Sequence, residues 1–573
     1  MHAMMNKKHS AIEVFGLVVV MSLSAFPALG DSSAAAANAQ ADSLEGGRRI
    51  DPYTWVDHDG HPVVPEPKER KLNLYSYYYR EALVEPIARL FDIPGKILRL
   101  LDALGVAESE YEAVNLNAFD EVANSMWFTN RNHMKAVSLD EIRRGPENHL
   151  RPETPWRITS VKKEGVVPGF QIKDAAGKKW VIKLDPPGYP QIASGADVVV
   201  TRLLIASGYS LPHDVALTFR REDLTIDEEL AQGKDGDEPF TDNDLTKLLE
   251  RGHREADGRQ YCLGSFFLSG TPIGPIDFRE RRKDDPNDWY THRRRRELRG
   301  LYVIASWLNH WDSKDQQSLD MFEEKADSLG TVRHHLLDMA STLGGAAEGP
   351  KALKKGYEQA VDFGWIGRRI VTFGFLVEPW RRAKQETGIP SVGNFESAEF
   401  DPGDFRSMLS NPAFRERLDG DGYWGAKIVA SFSNDQIQAA IDAAGYEDPR
   451  ARDYLLKTLI ERRDKIMRYW FGRVAPLDFF HIKDGALNFR DLAVDVGLEP
   501  SREYEVQVEA PDGAGVAQDG VRLNGPNLPL ATLGAEGRHV RLRLSPVGSR
   551  AKATTVELMK KDEQWLVARV RHG

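Results

Sequence analysis

Hydrophobic and polar positions change register several times along the chain. From Trp156 they follow a period of two: "WRITSVKKE", a Gly and Pro break, then "GFQIKDAAGKKWVIKLD". The turn "DAAGK" joins two alternating runs as a hairpin does. In the second run Trp180, Ile182 and Leu184 take one face, and Val181, Lys183 and Asp185 take the other. The period then lengthens. Ala196, Val199, Val200, Leu203 and Ser207 fall on one helical stripe, with Gly208 placed to end it. "DVALTF" and "YCLGSFFL" read as strands around an acidic loop at 221–257. An amphipathic helix follows through Leu298, Leu301, Tyr302, Ala305 and Leu308. After it, "SLDMFEE" and "VRHHLLDM" flank "DSLG" as a second hairpin.

Upstream, residues 71–150 combine the helical pattern "REALVEPIARLFDIPGKILRLLDAL" with the aromatic stretch "FDEVANSMWFTNRN", and are expected to form an extension packed on the main domain. Downstream, 350–480 reads as mostly helical. Ser433 and Gln436 have capping-box spacing, Gly445 can close that helix, and "ARDYLLKTLIERRDKIMRYWF" has helical period. From about 486 strict alternation returns in "EYEVQVEA", "HVRLRL" and "WLVARV", so a small all-β domain is expected at 486–573. The predicted class is α+β: an extension over 31–150, a strand-rich lobe over 151–278, a mostly helical lobe over 279–485, and the β domain.

Composition changes this picture in five places. The 573 residues suggest about three to four units. A formal charge of −10 argues against broad binding to nucleic acid or acidic lipid. The first thirty residues have the parts of an export signal: Lys7 and Lys8, the apolar "VFGLVVVMSLSAF", then Ala28 and Gly30 spaced for cleavage. That run is shorter than the ~20 apolar residues a membrane span needs. The expectation is cleavage, no stable span afterwards, a flexible lead-in over 31–49, and a periplasmic or secreted bacterial protein. Cys262 is the only cysteine, which leaves no internal disulfide and no cysteine metal site, and it is expected to be a buried small hydrophobe. The basic run Arg293–Arg296 is expected to be a solvated helix face.

The middle of the chain therefore offers, in order, a strand lysine, a helix, a long helix, a polar loop, a hairpin and an aspartate at the end of a strand. The loop, "HWDSKDQQ" at 310–317, has a His, an Asp two residues later and a Lys two beyond that. This order and this loop resemble the protein kinase-like superfamily. The resemblance implies that Lys183 in "WVIK" pairs with phosphate. It implies that Asp197, the only acid on the following helix, pairs with that lysine. Asp312 would be the catalytic base and Lys314 the charge stabiliser beside it. Gln317, standing where the family has Asn, would hold magnesium together with Asp338 in "HLLDMA". ATP and Mg2+ are the implied cofactors. Phosphoryl transfer spreads negative charge over oxygens, so it needs cations to offset that charge and carboxylates to hold the metal.

The letters "DFG" also occur at Asp362–Gly364, but they follow a helix-like stretch, "KALKKGYEQAV", with no paired strand. Asp338 is therefore the choice. His310 with Asp312, or His334 with His335, would be the alternative as metal ligands, although no HExxH-like spacing accompanies them. More specifically, "FDEVANSMWFTNRN", "DPPGYPQIASGADVVVTRLL", "DDPNDWYTHRRRRELRG" and "SWLNHWDSKDQQSLDMF" resemble a group of exported bacterial proteins with kinase-like cores, over roughly 110–480. Two functions are expected to compete. One is phosphoryl transfer from ATP to a protein or glycan acceptor outside the cytoplasm. The other is a catalytically silent kinase-like fold kept as a binding or surface-assembly module.

Overall fold

A computed structural model describes residues 64–91, 112–162, 167–233, 238–326, 328–375, 377–382, 387–509, 516–533, 539–561 and 564–573. The expected signal peptide and lead-in, and the distal part of the helical pattern at 80–104, lie outside these residues.

Six strands form the first sheet: β1 (Trp156–Val161), β2 (Gly169–Lys173), β3 (Lys179–Leu184), β4 (Asp214–Phe219), β5 (Leu224–Ile226) and β6 (Gln260–Phe266), ordered β4-β6-β3-β2-β1-β5. Only the β1–β5 pairing is parallel; the other neighbours are antiparallel. The period-two pattern explains the two faces. Trp180, Ile182 and Leu184 turn with Phe170, Ile172, Val215 and Phe219 into one core, closed by Leu245, Leu248 and Leu249 of the helix Asp242–Leu249. Cys262 is buried in the same core, as expected. The opposite face carries Lys183, and there helix α1 (Ser194–Ser207) lies between the sheet and the helical lobe.

The helical lobe is built on α2 (Arg296–Trp307), followed by the hairpin β7 (Ser318–Ala326) and β8 (Leu329–Leu336). Beyond α3 (Phe363–Val371) come α4 (Asp419–Ala430), α5 (Asn434–Ala444) and α6 (Pro449–Phe471). Ser433 and Gln436 make the reciprocal cap of α5, and Gly445 closes it in the left-handed conformation. Where α2 crosses α4, a Cβ on Gly425 would lie 2.6 Å from the Gly300 carbonyl oxygen, so only glycine permits this backbone approach.

Strands from Leu477 onward form two sheets around a shared core that includes Leu477, Phe489, Tyr504, Leu542 and Val556. β9 (Leu477–Lys483) pairs with β10 (Ala486–Asp491), and β10 pairs in turn with Asn527–Pro529. β11 (Tyr504–Glu509), β12 (Val516–Leu523), β13 (His539–Pro546), β14 (Thr554–Lys561) and β15 (Gln564–His572) make the five-stranded sheet β12-β11-β13-β14-β15. β15 also meets the extension: Val570 N donates to Ala118 O, and His572 Nδ1 lies 2.9 Å from Asp120 Oδ2.

Two sequence expectations fail. Arg295 and Arg296 are not on a solvated face. They are buried, as is Arg299, and all three face carboxylates: Arg295 pairs with Glu297 at 2.8 Å, Arg296 with Asp120 at 3.1 Å and Asp421 at 2.7 Å, and Arg299 with Asp421 at 3.2 Å. Arg296 and Arg299 draw their partners from distant segments, which local pattern cannot reveal, whereas Arg295 pairs with the nearby Glu297. The stretch 351–361 forms turns and short bridges instead of helix. Its first residue, Lys351, is drawn inward to two backbone carbonyls, Asn309 O at 3.0 Å and Ser341 O at 2.9 Å.

Candidate active site between sheet and helical lobe

Lys183 reaches the site from the middle of β3, on the face away from the apolar core. Its Nζ lies 3.1 Å from Asp338 Oδ1, with 18% of the Lys183 side chain and 31% of the Asp338 side chain exposed, so the pair sits at an opening. Burial acts against both charges, yet each holds the other in its charged form: Lys183 is shifted up, and Asp338 is held below the usual carboxylate range.

Asp338 is delivered by the β7–β8 hairpin. Leu336 pairs with Ser318, and Leu337 N donates to Gln317 O at 2.9 Å, which sets Asp338 beside the polar loop. Asp338 itself has φ 60° and ψ 65°, a left-handed conformation uncommon outside glycine that turns the chain out of the strand.

The polar loop begins where α2 ends. His310 N donates to Ala305 O at 2.8 Å, and Ser313 Oγ donates to His310 O at 2.9 Å. Asp312 is then gripped from two sides: Lys314 Nζ lies 2.7 Å from Oδ1, and Gln317 Nε2 donates to Oδ2 at 2.6 Å. With its amide nitrogen so engaged, Gln317 keeps its carbonyl oxygen for a hard cation. Burial pushes the His310 imidazole down to about 4, against the pull of Asp312 and Asp338, so it is neutral near pH 7.

Five of the six expected site residues are thus gathered: Lys183 with Asp338, Asp312 with Lys314 and Gln317, and the two groups joined through Leu337 and Gln317. Asp197 is placed differently. It is fully buried on α1, accepts from Thr201 Oγ1 at 3.2 Å, and lies beyond ion-pair distance of Lys183. Burial and the neighbouring Asp214 raise its pKa well above the usual carboxylate value, with Lys183 opposing them. Asp362 is no rival to Asp338, because it caps α3 by accepting from Trp365 N at 2.8 Å. His334 is committed to Asp320 at 2.6 Å and stacks on Trp127. Among the described residues no group of three or more His, Cys, Asp or Glu side chains could by itself hold a metal ion. Asp338 and Gln317 fit a magnesium that takes its remaining ligands from phosphate and water, as that ion usually does at nucleotide sites.

Two residues escaped sequence reasoning. Lys162 N donates to Gly169 O at 3.1 Å, and Gly169 pairs across the next strand gap with Lys183. Cross-strand partners share a face, so the two lysines flank a glycine on the cleft side of the sheet. Partial burial and repulsion from Lys183 lower the Lys162 pKa, with Asp338 opposing them. Counting back across the "DAAGK" hairpin would have revealed this alignment. The second is Lys351, which joins the start of the polar loop to the segment after Asp338; burial pushes its ammonium down to about 7. No local signal marks it.

No family model and no curated protein matches the chain. Solved structures do. The fold is similar to that of a Helicobacter pylori proinflammatory kinase, CtkA, at 11% identity over 55% of this chain and 96% of that one, with a TM-score of 0.28. It is also similar to a Golgi casein kinase with Mn and ADP bound, at 10% identity over 73% of this chain and 94% of that one, with a TM-score of 0.26. Among the described residues no helix is long and apolar enough to cross a membrane. The strand lysine, the helix-loop-hairpin order and the strand-end aspartate sit in an α+β core of one six-stranded sheet and a helical lobe, preceded by the segment from residue 64 and followed by the C-terminal β sheets.

Proposed function

We propose that the cleft binds ATP with magnesium and transfers the γ-phosphoryl group to a hydroxyl acceptor outside the cytoplasm. The observation that carries this reading is the gathering of Lys183, Asp338, Gln317, Asp312 and Lys314 from three separate segments into one opening. Structural salt bridges alone would not require two lysines, two aspartates and a free amide carbonyl to converge at partly exposed positions.

In this reading Lys183 and Lys162 offset phosphate charge, and Asp338 with Gln317 hold magnesium, which screens the phosphate oxygens when bound. Asp312 receives the acceptor proton. Lys314 keeps Asp312 oriented and stabilises charge on the transferred group. The pairing of Lys183 with Asp338 must loosen for both to serve a nucleotide.

Melting of the full chain with millimolar ATP and magnesium tests the proposal. Ligand at about ten times Kd adds about 1.4 kcal/mol of stability, so the wild type is expected to melt higher, and Lys183→Met and Asp338→Ala are expected to lose the shift. No shift in the wild type refutes nucleotide binding. A shift without phosphate transfer to any protein or glycan fraction favours the silent binding module, a reading motivated by the glutamine at 317 and by the engagement of Lys183 with Asp338.

A further inference from the structure

The acceptor side of the polar loop is occupied by the chain itself. The extension enters as a continuous helical segment, Leu74–Tyr79, Arg80–Val84 and Glu85–Leu90, with a π-helical middle. Tyr78 Oη donates to Gln316 Oε1 at 2.8 Å, and Lys314 Nζ lies 5.8 Å from the centre of the Tyr78 ring. The same ammonium contacts Asp312 at 2.7 Å, and hydrogen bonding to both Asp312 and Tyr78 contributes to raising its pKa, against burial. A phenol, an ammonium and a carboxylate therefore stand in sequence at the place where an acceptor hydroxyl would have to arrive.

We propose that Tyr78 is a phosphoryl acceptor in cis, making the N-terminal extension the first substrate of its own cleft. This deepens the nucleotide-transfer reading and rests on it.

The placement is specific to one tyrosine. Four lie in or beside this turn, and helical spacing sends Tyr75 and Tyr79 together to solvent, at 85% and 43% exposed. Tyr77 is buried, and its hydroxyl accepts from Asp315 N at 3.2 Å, which pins the helix to the loop and removes this phenol from reaction. Downstream, buried Glu81 pairs with Arg279 at 3.2 Å, and Glu85 pairs with Arg279 at 3.0 Å and Arg415 at 3.4 Å. The segment is thus anchored on both sides of Tyr78, and reach to the loop does not depend on a loose tail.

In the transfer the γ-phosphorus bonds to Tyr78 Oη. Its bond to the β,γ-bridging oxygen breaks, with the electron pair leaving on ADP. The phenol proton, turned away from Gln316 by rotation of the hydroxyl, passes to Asp312. The product carries about two negative charges, which Lys314 can pair but Asp312 repels, so the modified tyrosine is expected to withdraw and open the loop to another acceptor.

The test is incubation of the full chain with radiolabelled ATP and magnesium at several protein concentrations, with the label mapped by peptide mass spectrometry. The expected result is up to one phosphate per chain on Tyr78, appearing at a rate independent of protein concentration. It should be abolished by Tyr78→Phe and kept by Tyr75→Phe. Label on another residue, a rate that climbs with protein concentration, or absence of label while ATP still raises the melting temperature overturns the proposal and leaves nucleotide binding standing. Absence of both label and melting shift overturns the two readings together.

Discussion

Replacing Asp421 by alanine tests whether the misjudged basic run is a structural hub. Asp421 is 1% exposed, lies 2.7 Å from Arg296 Nε as an ion pair, and accepts from Arg299 Nη1 at 3.2 Å and Leu418 N at 2.8 Å. Arg296 also reaches Asp120, so the cluster ties the extension to α2 and α4. Both guanidinium groups are themselves buried, and removing the shared anion leaves their charge poorly compensated in a medium that solvates it weakly. Breaking a buried ion pair from one side costs about 3–5 kcal/mol. With an unfolding entropy near 2.1 cal/mol/K per residue over a lobe of roughly 200 residues, about 4 kcal/mol corresponds to a Tm lowered by on the order of 10 °C. Calorimetry or circular dichroism melting measures this directly. Asp421→Asn, which keeps an acceptor without the charge, should fall between wild type and alanine. A loss under about 1 kcal/mol for the alanine variant would refute the argument, because that is the range of solvent-exposed pairs.

Asp315 has a pH signature: burial, reinforced by Asp277, lifts its carboxyl to about 7. A raised folded pKa gives stability that is complete below about pH 4 and lost as pH rises to about 7, up to about 4 kcal/mol. Urea midpoints at pH 4.5 and 7.5 should therefore differ less for Asp315→Asn than for wild type, and parallel profiles would contradict the assignment. Lys351→Ala orphans the carbonyls of Asn309 and Ser341 and should cost about 2–4 kcal/mol by chemical denaturation. Gly425→Ala places a Cβ against the Gly300 carbonyl oxygen, and separating α2 from α4 should cost at least about 1–3 kcal/mol in the same assay; a neutral result would mean that the helices have slack.

What could be read in advance divides by the distance over which each signal acts. Lys183, Asp312, Lys314 and Asp338 were singled out through the kinase-like resemblance, while the strands, helix and hairpins that carry them were legible because alternation, helix period and turns a few residues long are local properties. Gln317 was legible as a position but not in its use, since only the folded loop turns its amide nitrogen to Asp312. The fate of Arg296 and Arg299 depends on Asp120 and Asp421, over a hundred residues away from Arg296 on either side. No window over "THRRRRELR" contains those partners, so solvation was the natural expectation. Tyr78 was hidden for the same reason: in "LYSYYYREALV" it is one aromatic among several, and only its contact with Gln316 distinguishes it.

The pairing of His572 with Asp120 sets an order on events during synthesis. Asp120 accepts from His572 N at 3.2 Å and contacts its ring Nδ1 at 2.9 Å, while His572 Nε2 meets Leu477 O at 2.9 Å. These contacts join positions 452 residues apart in the chain. The extension cannot take up its final seat beside Arg296 until residue 572 has emerged from the ribosome. Until then Asp120 has lost one of its two anchoring partners, and the segment holding Tyr78 is joined to a part of the chain that has not yet closed. The strand that carries His572 therefore seals a segment laid down 452 residues earlier in the chain.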